Sequence, residues 1–73
     1  MIEIIVNDHI GRKERIKCNL DDTIRDLKIL IAFKIGTRPE KIRLQHADRV
    51  FSDNVTLGDY EIHHGEEITL SYQ

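Results

Sequence analysis

Thr23–Gly36 reads TIRDLKILIAFKIG and carries the one long helical period of the chain. Ile24, Leu27, Ile31 and Ile35 recur at spacings of three and four, which lines them along one helix face. Thr23-Ile24-Arg25-Asp26 fits a capping box, in which the threonine oxygen accepts from the Asp26 amide and the Asp26 carboxylate reaches back to the Thr23 amide. Gly36 follows the last apolar residue, where a left-handed residue ends a helix, and Pro39 lies just beyond it. Two features fall outside this pattern. Asp21 and Asp22 precede the cap, and Ile29 and Phe33 point away from the apolar stripe.

The flanking segments read as strands. Met1–Asn7 is rich in β-branched residues, with Ile2, Ile4 and Val6 on one face and Glu3, Ile5 and Asn7 on the other. A turn at Asp8–Gly11 leads to Arg12–Cys18, which alternates Glu14, Ile16 and Cys18 against Lys13, Arg15 and Lys17. After the helix come a strand at Ile42–Gln45, a polar turn at His46–Arg49 and a short return at Val50-Phe51. Thr56–Tyr60 reads as one tight turn of helix, His63-His64-Gly65 as a turn, and Glu67–Tyr72 as the last strand, with Ile68, Leu70 and Tyr72 inward. The first and last strands are expected to pair in parallel at the centre of the sheet, with the helix across one face. The fold class is α+β, in a single domain spanning residues 1–73.

Seventy-three residues allow one small core. The lone Cys18 can form no intramolecular disulfide and has no second sulfur with which to hold zinc, which points to a reducing, cytosolic or nuclear compartment. A third of the residues are charged, yet the net charge is only −2, whereas a dedicated nucleic-acid binder usually carries a basic face. No secretory, transit or membrane-spanning stretch stands out. Neither a phosphate-binding glycine loop nor a catalytic constellation is legible, so no enzyme, cofactor or metal is expected.

The element order, Met1-Ile2 at the start and Leu57-Gly58-Asp59-Tyr60-Glu61-Ile62 late in the chain together resemble the ubiquitin β-grasp. The chain is more closely similar to the Hub family ("homologous to ubiquitin", also called the ubiquitin-like protein 5 family). Met1-Ile2-Glu3, Asn7-Asp8, Gly11, Lys17-Cys18, Asp21-Asp22-Thr23, Ile35-Gly36-Thr37, Lys41-Ile42, Gly58–His63 and Tyr72-Gln73 carry that likeness from end to end. Ubiquitin works through a free tail ending in two glycines and through an aliphatic surface patch. Here the last strand runs through Ser71-Tyr72 to Gln73, and the positions matching the patch are His9, Gln45 and Ser71. The resemblance therefore implies a non-covalent protein that docks on a short, arginine-bearing helical Hub-interacting motif in a spliceosomal tri-snRNP protein and influences splice-site choice. It implies a nuclear and also cytoplasmic monomer, and it assigns to Asp22 a salt bridge with the motif's arginine. Ser71 departs from the tyrosine pair common near the family's C-terminus. A covalent ubiquitin-like modifier and a generic ubiquitin-like adaptor are the alternatives.

Each candidate also has a bland reading. An aspartate before a helix is commonly its N-cap, but Thr23 with Asp26 already fills that role and leaves Asp22 free to point outward. Asp21 adds charge to the same corner. Ile29 and Phe33 could be scattered surface hydrophobes, or together the apolar support for a partner helix. His63-His64 read first as solvated turn residues, with His63 matching the Hub pattern and implying a second contact surface. Cys18 reads as a small core residue, and the Lys13, Arg15 and Lys17 stripe as a solvated face.

Overall fold

The computed structural model describes residues 1–8 and 10–73, so the reading of His9 lies outside the described residues. Five strands form one mixed sheet: β1 (Ile2–Asp8), β2 (Lys13–Cys18), β3 (Ile42–His46), β4 (Arg49–Val50) and β5 (Glu67–Tyr72). Their spatial order is β2-β1-β5-β3-β4. β1 and β5 pair in parallel, with Ile5 opposite Glu67 and Asp8 opposite Leu70, while the other pairings are antiparallel. The helix α1 (Ile24–Ile35) lies between β2 and a single 3₁₀ turn at Pro39–Lys41.

Helix α1 begins where the sequence says it should, and the reciprocal Thr23–Asp26 capping box is formed. The remaining free amides of the first turn are taken by the chain that passes beneath. Ile24 N–H donates to the Val55 carbonyl and Arg25 N–H to the Asp53 carbonyl, each at 2.9 Å. Gly36 ends the helix at φ 80°, and both its N–H and that of Thr37 return to the Ala32 carbonyl. Farther along, Gly58 packs so close to the Leu20 carbonyl, to which its own N–H donates at 2.8 Å, that a Cβ there would sit 3.2 Å from that oxygen. These bonds stitch the 53–58 segment to the start of the helix.

The core is the layer between α1 and the sheet. Ile4, Val6, Ile16, Leu44, Ile68 and Leu70 rise from the strands to meet Ile24, Leu27 and Ile31, with Leu57 and Ile62 closing one end. At roughly 1.5–3 kcal/mol for each fully buried aliphatic side chain, this layer is the main force against the ordering entropy of so short a chain.

Several expectations need correction. Tyr72 follows the inward parity of β5 but is 48% exposed, although Ile42, its partner across the sheet, is fully buried. The single tight turn read at Thr56–Tyr60 needs no correction, since Tyr60 N–H closes one such turn on the Thr56 carbonyl. His46 and Arg49 pair across the hairpin, so the turn proper is only Ala47-Asp48. Two polar residues are buried that the pattern left outside: Lys28, paired to Asp53 at 2.6 Å, and Asp8, whose Oδ1 accepts from the amides of Ile10 and Arg12 and closes the first hairpin.

Candidate functional site

Helix α1 buries a narrow stripe, so the side of it that leans toward β2 keeps apolar residues uncovered. Phe33 is 91% exposed and Leu30 44%. Together with buried Ile16 and the arms of Glu3, Arg15, Lys17 and Lys34, they line an open groove of about 580 Å³ between α1 and β2. The groove wall is held by Lys34, whose Nζ donates to the Arg15 carbonyl at 3.1 Å and stands 4.0 Å from a Glu14 carboxylate oxygen. Because β2 is the edge of the sheet, that carbonyl would otherwise be open. An apolar floor with a charged rim suits an amphipathic helix laid beside α1.

Asp22 stands in the segment that joins β2 to α1 and, like Asp21, is not among the residues that line the groove. It is half-buried and is not free of internal work. One carboxylate oxygen accepts from the Asn19 N–H at 2.9 Å, and its carbonyl accepts from Leu57 N–H at 2.9 Å. The reading of an unoccupied Asp22 is therefore corrected: the residue both closes the turn and presents negative charge. That charge reaches the adjacent core, where burial first and the Asp22 carboxylate second push the Cys18 thiol above its ordinary value. Asp21 beside it is exposed.

The structure does not gather the sequence-chosen residues into one place. Phe33 lines the groove, but Ile29, 45% exposed, is absent from its lining, and Leu30 takes the place expected for it. The overlooked signal was the third direction on the helix, for Leu30 belongs neither to the core stripe nor to the Ile29 side. His63 is on another surface altogether, where it lines a separate hollow of about 350 Å³ with His46, Arg49, Tyr60 and Glu66. Two cations of the β2 basic stripe face carboxylates across exposed surface, Lys13 with Glu67 at 3.5 Å and Arg15 with Glu3 at 3.9 Å. Among the described residues no cluster of three or more His, Cys, Asp or Glu is placed to hold a metal ion.

Residues 4–72 match the ubiquitin family. The chain belongs to that family. Within it, the ubiquitin-family chain is 55% identical over 73 residues to ubiquitin-like protein 5 of Drosophila melanogaster, with both chains covered in full. It is 49% identical over 72 residues to ubiquitin-like modifier hub1 of Schizosaccharomyces pombe and 43% identical over 72 residues to ubiquitin-like modifier HUB1 of Saccharomyces cerevisiae, with 99% of each chain covered. The resemblance drawn from the motifs is thus a family relationship along the whole chain. On the sheet face turned away from α1, this ubiquitin-family member presents Arg43, Gln45, Thr69 and Ser71 in paired register, a polar surface where the likeness to ubiquitin calls for an aliphatic one.

Proposed function

We propose that this ubiquitin-family protein is a non-covalent docking module that binds an amphipathic, arginine-bearing helix of a spliceosomal tri-snRNP protein and thereby modulates pre-mRNA splicing in the nucleus, with a further cytoplasmic pool. The observation that carries the reading is the open groove between α1 and β2, with Leu30 and Phe33 beside Ile16, and with Asp22 in the segment that joins the two elements. A helix seated there places apolar residues on the floor and an arginine at the Asp22 end. Asp21 reinforces the negative corner, Ile29 faces the outer flank of the bound helix, and His63 serves a second contact surface. An arginine–carboxylate pair that is desolvated on binding costs about 2–5 kcal/mol when one partner is removed.

The test is fluorescence anisotropy with a labelled amphipathic peptide carrying one arginine. Asp22→Asn keeps an acceptor for Asn19 while deleting the charge, so affinity should fall by about thirtyfold or more with the fold intact. Phe33→Ser should also weaken binding, through lost apolar contact. Unchanged affinity in both variants would refute the groove as the site. Pull-down of tri-snRNP proteins by the native chain but not by Asp22→Asn connects the groove to splicing.

The name modifier, borne by the yeast relatives, favours a second reading as a covalent tag. Against it stands the state of Gln73, whose N–H donates to the Lys41 carbonyl at 2.9 Å and whose side-chain amide donates to the Glu40 carbonyl at 3.2 Å. These bonds tie Gln73 to the 3₁₀ turn at Pro39–Lys41. Intact-mass analysis of the protein recovered from cells separates the two readings: isopeptide-linked species of higher mass would establish the covalent one.

A further inference from the structure

The turn that contains His63, His64 and Gly65 is fastened on two sides, and each fastening involves a histidine. Toward β1, Gly65 N–H donates to the Glu3 carbonyl at 2.7 Å, while Glu3 N–H donates to His64 Nδ1 at 3.0 Å. The strand amide is thus capped by an imidazole nitrogen where a neighbouring strand would offer a carbonyl. Only a neutral ring with a bare Nδ1 can accept that bond. Toward the β3–β4 hairpin, the Glu66 carboxylate accepts His63 N–H through Oε1 at 3.0 Å and meets His46 Nε2 through Oε2 at 3.3 Å. This second contact becomes an ion pair only when His46 is protonated.

The two histidines therefore make opposite demands on the proton. From this geometry we infer that residues 63–66 carry a proton-responsive contact. Neutral His64 caps the Glu3 amide, and protonation of His64 and His46 releases that cap and pairs His46 with Glu66. The backbone bonds from Gly65 N–H to the Glu3 carbonyl and from Ile5 N–H to the Glu66 carbonyl remain. His64 shares a hollow with Met1, Ile2 and Glu3 of the β1 side and with Lys17 of β2, so the charged groups nearest it are Met1, Glu3 and Lys17. Arg15, at 3.9 Å, already occupies the Glu3 carboxylate. Around Glu66 stand His46, Asp48 and Arg49 of the hairpin, with Tyr60, Glu61 and His63 on the other side. None of these replaces the lost acceptor for the Glu3 amide, since protonated Nδ1 turns a donor toward a donor. The hollow lined by His63 shares Glu66 with this contact, so its shape follows the same proton.

Amide exchange and ¹⁵N–¹H NMR on the full chain between pH 8 and pH 5 test the switch. At the upper pH His64 should be in the Nε2–H form. As its ring protonates, protection of the Glu3 amide should fall about fivefold relative to Ile4, the scale of one surface hydrogen bond. His64→Gln, which offers a side-chain oxygen at every pH, should abolish this response. His46→Gln should leave the Glu3 response in place while removing the pH dependence of the Glu66 side-chain signals. A Glu3 amide that stays unchanged while the His64 ring titrates would overturn the proposal, as would a full response that persists in His64→Gln.

Discussion

Because the Asp22 carboxylate accepts the Asn19 N–H at 2.9 Å, substitutions there act on folding and binding in separable amounts. Asp22→Ala leaves that amide without its acceptor and should lower stability by about 1 kcal/mol, whereas Asp22→Asn should be nearly neutral in a urea melt. Cys18 shows the same carboxylate from the other side. Its thiol is buried, and burial together with the Asp22 charge raises its pKa in the folded state. A group whose folded value lies above its unfolded one contributes stability that is fully present below the unfolded value, about 8.5 for a thiol, and is lost as pH rises through the folded value. Stability should therefore decline on the alkaline side, and reaction with a thiol reagent should be slow in the native protein and fast in urea. Cys18→Ala should remove that part of the alkaline decline. Ala47 is a different case, a non-glycine residue at φ 56° in the two-residue turn between β3 and β4. Turns of this length want a left-handed first residue, so Ala47→Gly should stabilise by about 0.5–1 kcal/mol, a few degrees of melting temperature.

At the scale of elements, the instructive pair joins α1 to the 52–55 loop. Lys28 is 8% exposed, and its ammonium meets Asp53 Oδ1 at 2.6 Å. Removing the carboxylate strands a buried cation, whereas replacing the lysine with an apolar chain of similar length strands only a half-exposed aspartate. Asp53→Ala should therefore cost about 1–3 kcal/mol and Lys28→Met clearly less, a difference that thermal melts of the two variants would reveal. Helix α1 itself was legible almost to the residue, since its signals are local: a capping box, an apolar period and a glycine stop. Lys28 was not, because charge and period both assign it to solvent, and only the later chain brings Asp53 to it. Leu30 escaped for a related reason. Period marks the face that a helix buries, while the groove depends on where β2 ends beside that face. The bond from Asn19 N–H to the Asp22 carboxylate is not legible, since it is formed by a turn that the sequence shows only as polar.

The whole sheet raises the question of what keeps one copy from another. β2 is an open edge of six residues beside an apolar groove, a combination that invites strand addition by a second copy. Antiparallel self-pairing must set residues of one face opposite each other, which brings Arg15 against Arg15 or against Lys17 and is repulsive in either register. Lys34 adds a direct cover by donating to the Arg15 carbonyl. At the other edge β4 has only two residues, too short to template a partner. The native chain should thus sediment as a monomer. Lys34→Leu uncovers the carbonyl and enlarges the apolar floor in one change, so it should shift sedimentation toward dimer, most visibly at high salt, where the repulsion between Arg15 and Lys17 is screened. If Lys34→Leu remains monomeric even there, the edge is guarded by the twist and shape of β2 and not by its charges, and the groove can admit a helix without the risk of admitting a strand.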